Sequence, residues 1–153
     1  MIDQGDGGMA MLIQHEAAVL LISDDAELGG VVAMNLRQRG YAVEHTNVSL
    51  AATPRWSPSV QHLDLVIINV ETADRVPPAD LKRLVDRTWA ASVPIILTTE
   101  NPARYGEVLA GRINVVLTRP DDVGAILGAT RSILQPSPSP ATKPLKSPKG
   151  GAE

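Results

Sequence analysis

The chain has 153 residues, with 14 Lys and Arg, 17 Asp and Glu, and no Cys. This length predicts one domain with a sizeable core, and the net charge of −3 disfavours a broad basic surface for nucleic acid. The lack of cysteine excludes a disulfide framework, a thiolate nucleophile and Cys-ligated zinc. No apolar run approaches the roughly 18 residues that span a bilayer, and the first residues lack the basic charge of a signal peptide. These features indicate a cytoplasmic protein with no membrane association.

The two ends of the chain differ in composition from its middle. Residues 1–16 are rich in Gly and Met without a clear period, which predicts a flexible N-terminal segment. Residues 135–153 are rich in Pro, Ser and Lys and predict a disordered tail. The tail's basic residues beside Ser-Pro steps are similar to minor-groove-binding tails, but they are too few to bind nucleic acid strongly. They are Lys143, Lys146 and Lys149. We therefore expect a solubilising linker after a domain that covers residues 17–134.

Within that domain, apolar runs alternate with amphipathic stretches. The predicted strands cover residues 17–23, 41–46, 64–69, 93–98 and 113–118. The predicted helices cover residues 25–39, 79–91, 102–110 and 121–134. Two prolines, Pro54 and Pro58, reduce the connection after the second strand to a short turn or an irregular segment. Such alternation predicts an α/β fold with a single doubly wound, five-stranded parallel sheet.

Ligands of such sheets bind outside the carboxyl ends of the strands. The residues at those ends in this chain are Ser23, Asp24, Asp25, Asn69, Thr98, Thr99, Arg119 and Pro120. Function is therefore expected at this edge of the sheet. No glycine-rich phosphate loop follows any strand, and no Ser-His-Asp grouping is recognisable.

The order and spacing of these residues resemble the response-regulator receiver domain of bacterial two-component signalling. An acidic pair, Asp24 and Asp25, follows the first strand, and DLVIIN is similar to the family's DLVLLD. VPIILTT is similar to VPIIxLT, and LTRP is similar to LxKP. The resemblance implies a flavodoxin-like receiver topology, and it implies that the acidic pair forms a pocket that holds Mg²⁺.

The same resemblance gives each remaining strand end an expected role. Asn69 stands at the phosphoacceptor position, and Thr99 stands at the position of the pocket hydroxyl. Arg119 stands where the family has lysine, and Pro120 is then a candidate cis-proline.

Two of these positions depart from the family's pattern. Asn69 offers a neutral amide where the family has an Asp nucleophile. Its neutrality also removes a negative charge from the metal site, so Mg²⁺ should bind weakly or not at all. Arg119 is a planar cation suited to a carboxylate, and we expect it to pair with Asp24 or Asp25.

A third departure concerns the transmission of a signal. The family's aromatic residue on the last strand is missing, because that region reads Val115, Val116, Leu117. Tyr105 is an alternative aromatic in the fourth helical region. That region is short, which leaves a homodimer through this face open.

Several positions also have a purely structural interpretation. Asp24 and Asp25 are consistent with a helix N-cap, and Asn69 with a turn residue at a strand end. Thr98 and Thr99 are also ordinary strand residues, and Arg119 is also consistent with a surface charge. The histidines His15, His45 and His62 are scattered without ligand spacing, and we assign them no role.

The sequence therefore predicts a degenerate receiver, or pseudo-receiver, that is not an enzyme and has no cofactor. It would bind a histidine kinase or another signalling protein without phosphorylation on Asp. One alternative is a flavodoxin-like domain that binds a small ligand or nucleotide at the strand ends. Another is a receiver phosphorylated at a non-standard residue, Glu71 or Asp74.

Overall fold

The computed structural model describes residues 16–72 and 75–135. Its five strands are β1 (Ala18–Ser23), β2 (Ala42–Asn47), β3 (Leu65–Val70), β4 (Ile95–Thr99) and β5 (Val115–Leu117). All neighbouring strands are parallel, and their order is β2-β1-β3-β4-β5. The predicted doubly wound, five-stranded parallel sheet is confirmed.

Helices follow each strand. They are α1 (Ala26–Gln38), α2 (Val48–Ala51), α3 (Pro78–Val85), α4 (Gly106–Leu109) and α5 (Val123–Leu134). Short 3₁₀ turns cover Thr88–Ala90 and Pro102–Tyr105. The prediction of a short turn after β2 is confirmed, because α2 has four residues.

The third helix is shorter than the predicted range 79–91. Arg87 leaves the helical conformation, with φ −67° and ψ 147°. Its guanidinium donates to the carbonyl oxygens of Ala52 and Pro54, at 2.9 and 3.0 Å. This contact with the loop after α2 gives Arg87 polar partners outside the helix, and the chain resumes as a single 3₁₀ turn.

The sheet is buried between two helical layers. On one face, alternate strand residues such as Leu21, Ile67 and Ile96 pack against α1 and α5. On the other face, the intervening residues pack against α2, α3 and α4. Strands covered on both faces need apolar side chains at consecutive positions, which explains the continuous apolar runs in the sequence.

The predicted terminal segments lie almost wholly outside the described residues, which include only Glu16 of the first and Gln135 of the second. Within the described ranges, no helix combines the length and the apolar character needed to cross a membrane.

A close contact joins the start of α1 to the end of β1 and to β2. His45 Nε2 lies 3.0 Å from Ser23 Oγ. The Ser23 hydroxyl also donates to the Asp25 carbonyl at 3.1 Å, so its oxygen is free to accept from the imidazole. Burial, followed by the nearby Arg37 charge, lowers the pKa of His45. A Cβ on Gly29 would lie 2.3 Å from both His45 Nε2 and Ser23 Oγ, so only glycine fits here without a shift.

Two adjacent glycines of α1 provide a matched test of this contact. Gly30→Ala should raise the free energy of unfolding by up to about 1 kcal/mol, because alanine favours helix and no atom lies within 4 Å of the new Cβ. Gly29→Ala should be less stable than Gly30→Ala by about 1–3 kcal/mol, because the Ser23–His45 pair must move. Urea denaturation of both variants measures the difference, and equal stabilities would show that this contact is unimportant.

Candidate functional site

Three polar residues occupy one row across the sheet near its carboxyl edge. Asn69 of β3 is in register with Ser23 of β1 and with Thr98 of β4. All three are buried, and Asn69 is 1% exposed. The interpretation of Asn69 as a turn residue is therefore wrong, because Asn69 pairs within the strand, one residue before its end.

The Asn69 carboxamide joins β3 to the loop that follows β5. Its Nδ2 donates to the carbonyl oxygen of Pro120 at 3.2 Å, and the bond is buried. Because a carbonyl only accepts, the atom that faces Pro120 must be the amide nitrogen. An ionised Asp has no donor, so it would place an oxygen against this carbonyl. The bond therefore depends on the amide that distinguishes this chain from the receiver pattern.

The prediction of a cis-proline at Pro120 is wrong. The described residues contain no cis peptide bond, so the bond between Arg119 and Pro120 is trans. Trans is the intrinsically preferred isomer, and in this isomer the carbonyl of the buried Pro120 accepts from Asn69.

Asp24 is hydrogen-bonded to the loop after β3. Its two carboxylate oxygens accept from the backbone N–H groups of Glu71 and Thr72, at 2.6 and 2.9 Å. Its own N–H donates to the Asn69 carbonyl at 3.2 Å. Charge-assisted hydrogen bonds of this kind are the stronger ones in proteins. The carboxylate therefore holds the β3 loop with backbone donors alone.

Asp25 caps helix α1. Its Oδ1 accepts from the N–H of Leu28 at 2.9 Å, and its backbone is extended, as at other N-caps. The N-cap interpretation is confirmed for Asp25, whereas Asp24 has its partners in the β3 loop. The two residues of the acidic pair thus have different structural roles.

Neither threonine at the end of β4 bonds to Asn69 within the described residues. Thr99 Oγ1 accepts from the N–H of Asn101 at 3.1 Å, inside its own loop. Thr98 is fully buried, and its Oγ1 has no partner among the described residues. Strand alternation places Thr98 on the same face of the sheet as Asn69. The role of Thr99 as pocket hydroxyl stays a prediction.

The predicted ion pair between Arg119 and the acidic pair is wrong. Arg119 is exposed, and it takes part in none of the ion pairs formed by the described residues. Asp24 already has two backbone donors. The surface-charge interpretation of Arg119 fits the structure.

Tyr105 is fixed in the core. Its side chain is 0% exposed, and its hydroxyl donates to the Val76 carbonyl at 2.8 Å. Helix α4 has four residues, so the expectation of a short fourth helical region is confirmed. A rotation of Tyr105 to the surface would break a buried hydrogen bond.

Four carboxylates near the carboxyl edge of the sheet lie close enough to Glu71 to act on its charge: Asp24, Asp25, Glu100 and Asp121. We call these four residues and Glu71 the acidic rim. Burial, followed by the charges of Asp25, Asp121, Asp24 and Glu100, raises the pKa of Glu71. One oxygen of Glu71, Oε1, is buried without a hydrogen-bond partner among the described residues. The other carboxylates of the rim therefore repel the ionised Glu71 side chain.

Sequence reasoning found only part of this rim. It named the acidic pair and gave Glu71 as an alternative phosphoacceptor, but it omitted Glu100 and Asp121. Both follow strand ends, at VPIILTTE and LTRPD, so the rule that placed Asn69 could have found them. Asp74, the other alternative acceptor, lies outside the described residues.

The donor set at this edge does not fit a dedicated Mg²⁺ site. Magnesium needs near-ideal octahedral oxygen geometry, usually supplied by one or two carboxylates together with waters or phosphate. Here both Asp24 oxygens bind backbone N–H groups, and Asp25 caps a helix. In the part of the chain that the structure describes, no three His, Cys, Asp or Glu side chains are placed to hold a metal ion.

Comparisons with known proteins agree with the fold. The fold is similar to a CheY-like receiver domain from Methylobacillus flagellatus (TM-score 0.59, 15% identity), which aligns over 78% of this chain and 99% of that one. It is similar to the HemR receiver domain of Leptospira biflexa (TM-score 0.57, 19% identity), with 81% and 98% covered. A CheY-like response regulator from Mesorhizobium loti gives a TM-score of 0.57 at 23% identity, with 78% and 99% covered. No protein-family profile and no curated protein matches the chain.

The fold is therefore that of CheY-like response-regulator receiver domains. The flavodoxin-like receiver topology expected from the sequence is confirmed. At these identities the similarity shows the fold, and the use of the site has to be argued from this chain's own residues.

The raised pKa of Glu71 predicts a pH-dependent stability. The carboxyl group titrates from its ordinary pKa of 4.5 when unfolded and from a higher value when folded, so stability should fall as pH rises through this interval. Glu71→Gln should therefore raise the free energy of unfolding by up to about 1 kcal/mol at neutral pH, the scale of a partly exposed charge contact. The gain should shrink below the unfolded pKa. Urea denaturation at neutral pH and again below the unfolded pKa measures this gain. The control is Glu107→Gln at an exposed position of α4. A gain that does not change with pH would contradict this reason.

Proposed function

We propose that this chain is a pseudo-receiver: a protein-interaction module in signal transduction that works without phosphorylation on Asp. The observation that carries the proposal is the hydrogen bond from Asn69 Nδ2 to the Pro120 carbonyl. At the position where a receiver needs a nucleophile, this chain has a buried amide that is committed to a structural bond.

The chemistry of the amide supports this proposal. Phosphoryl transfer to a receiver needs a carboxylate oxygen that attacks the donor while a metal ion neutralises charge. A neutral carboxamide is a far poorer nucleophile. Asn69 is also 1% exposed, so a phosphoryl donor has little access to it.

The loops around Asn69 have partners that do not require a metal. Asp24 holds the β3 loop through Glu71 and Thr72, and Asn69 holds the β5 loop through Pro120. With these bonds in place, the carboxyl edge of the sheet has one favoured arrangement. We therefore propose that Mg²⁺ binds weakly or not at all, that no other cofactor is needed, and that the chain is not an enzyme.

The partner in this proposal is another signalling protein, such as a histidine kinase, in the cytoplasm. Three large apolar side chains are exposed and available for such contacts: Val31 (41%), Met34 (51%) and Leu50 (46%). Val31 and Met34 are three residues apart and share one face of α1. A homodimer would use the same kind of surface.

The ligand-binding alternative has less support. A groove of about 990 Å³ lies between α2 and α3, and another of about 720 Å³ lies between α3 and α4. Neither is lined by Asn69 or by the acidic rim. A small-molecule site at the strand ends would need a concave pocket there.

Intact-mass spectrometry after incubation with acetyl phosphate and Mg²⁺ tests the proposal. Wild type and Asn69→Asp are treated together, because the variant restores the carboxylate nucleophile. We expect no phosphoryl adduct on wild type. We expect an adduct on Asn69→Asp, in a smaller fraction than a typical receiver, because Asp24 and Asp25 keep their backbone partners.

The other outcomes are equally informative. An adduct on wild type contradicts the proposal and directs the search to Glu71 or Asp74. No adduct on either protein means that the edge has diverged at more than residue 69. Circular dichroism of Asn69→Asp is the control that the variant is folded.

A further inference from the structure

Two buried polar side chains on neighbouring strands each have an oxygen atom without a hydrogen-bond partner. Asn69 is 1% exposed and Thr98 is 0% exposed. Asn69 Oδ1 and Thr98 Oγ1 have no hydrogen-bond partner among the described residues. The two residues are in register on β3 and β4, so their side chains share one face of the sheet. Buried polar atoms without partners are costly, so this pair requires a physical explanation.

The side chains around Asn69 do not supply the donor that its Oδ1 needs. On the other side of Asn69 in the same row lies Ser23. Ser23 has one hydroxyl proton, and it donates this proton to the Asp25 carbonyl at 3.1 Å. Pro120 contributes a carbonyl, which only accepts and is already bonded to Asn69 Nδ2. Thr98 therefore has the remaining hydroxyl of the row.

An amide oxygen and a hydroxyl group that are one strand apart fit a bridging water. We propose that a buried water molecule binds between Asn69 Oδ1 and Thr98 Oγ1. Neighbouring strands lie about 4.8 Å apart. A water with two hydrogen bonds of about 2.8 Å joins atoms that are up to about 5.6 Å apart. The water donates to the Asn69 oxygen, which only accepts, and it accepts from the Thr98 hydroxyl.

This water completes the hydrogen bonding of the Asn69 carboxamide. Nδ2 donates to the Pro120 carbonyl in the loop after β5, and Oδ1 is joined to β4 through the water and Thr98. The carboxyl ends of β3 and β4 and the loop after β5 then belong to one buried network. Buried waters of this kind are costly to remove.

The water site goes beyond the proposed function. It concerns the interior beside residue 69 and does not depend on whether that residue accepts phosphate. The result of acetyl phosphate treatment and the result for the water are therefore separate.

A crystal structure of the full wild-type chain, at a resolution that shows ordered waters, tests the site directly. We expect a density peak within about 3.2 Å of both Asn69 Oδ1 and Thr98 Oγ1. Either of two results would overturn the proposal. One is the absence of this peak, and the other is a direct hydrogen bond between the two side chains.

The Thr98→Val variant tests the bridge in solution, because valine has a similar shape and no hydroxyl. With the water bound, the substitution removes one of its two partners. We expect the equilibrium constant for unfolding, measured in urea, to rise about two- to tenfold, which corresponds to the loss of one hydrogen bond.

The matched control is Thr130→Val. Thr130 is also 0% exposed, and its hydroxyl donates directly to the Ile126 carbonyl at 2.8 Å. This control gives the effect of the same substitution where the hydroxyl has a protein partner. Unchanged or higher stability of Thr98→Val would overturn the proposal, because the removal of an unpaired buried hydroxyl carries no loss.

Discussion

The carboxyl edge of the sheet depends on one buried hydrogen bond, from the Asn69 carboxamide to the Pro120 carbonyl. It joins the centre of the sheet to the loop before α5, and Asn69 is buried there. A buried carbonyl that loses its donor costs about 1–3 kcal/mol. An Asp at residue 69 would remove that donor and bring an acceptor in its place. A carboxylate nucleophile at residue 69 and this loop contact therefore exclude one another.

Two carboxylates at this edge, Asp24 and Glu71, have contrasting electrostatic surroundings. Asp24 is stabilised by two backbone N–H groups, whereas Glu71 is destabilised by burial and by neighbouring carboxylates. A metal ion would reduce the repulsion at Glu71, but the Asp24 carboxylate already accepts two backbone hydrogen bonds. This arrangement supports the proposal that Mg²⁺ binds weakly or not at all.

The sequence predicted the sheet well because its three central strands are buried on both faces. Continuous apolar runs such as LVII have few alternatives in a chain of this length, and the strand-end rule then located Asn69. Asp25 as an N-cap followed from its place directly before α1. These features depend on residues that are neighbours in the chain, so the sequence alone predicts them.

The rest of the candidate site could not be predicted, because it depends on contacts between residues far apart in the chain. Nothing local in LTRP shows that Pro120 is trans or that its carbonyl faces Asn69, 51 residues away. The partners of Asp24 are backbone groups of residues 71 and 72, and backbone groups leave no signal in a sequence. Arg119 was expected to form an ion pair with Asp24 or Asp25 because of its positive charge. In the structure, both carboxylate oxygens of Asp24 accept from backbone N–H groups instead.

Hydrogen exchange at the amides of Glu71 and Thr72 tests the central claim most directly, because these two groups report whether Asp24 holds the β3 loop without a metal. Exchange is measured in EDTA and again with excess Mg²⁺. The account predicts that both amides are protected in EDTA and that Mg²⁺ leaves the protection unchanged. Rapid exchange in EDTA that becomes slow with Mg²⁺ would contradict it, because the loop would then be organised by a metal ion.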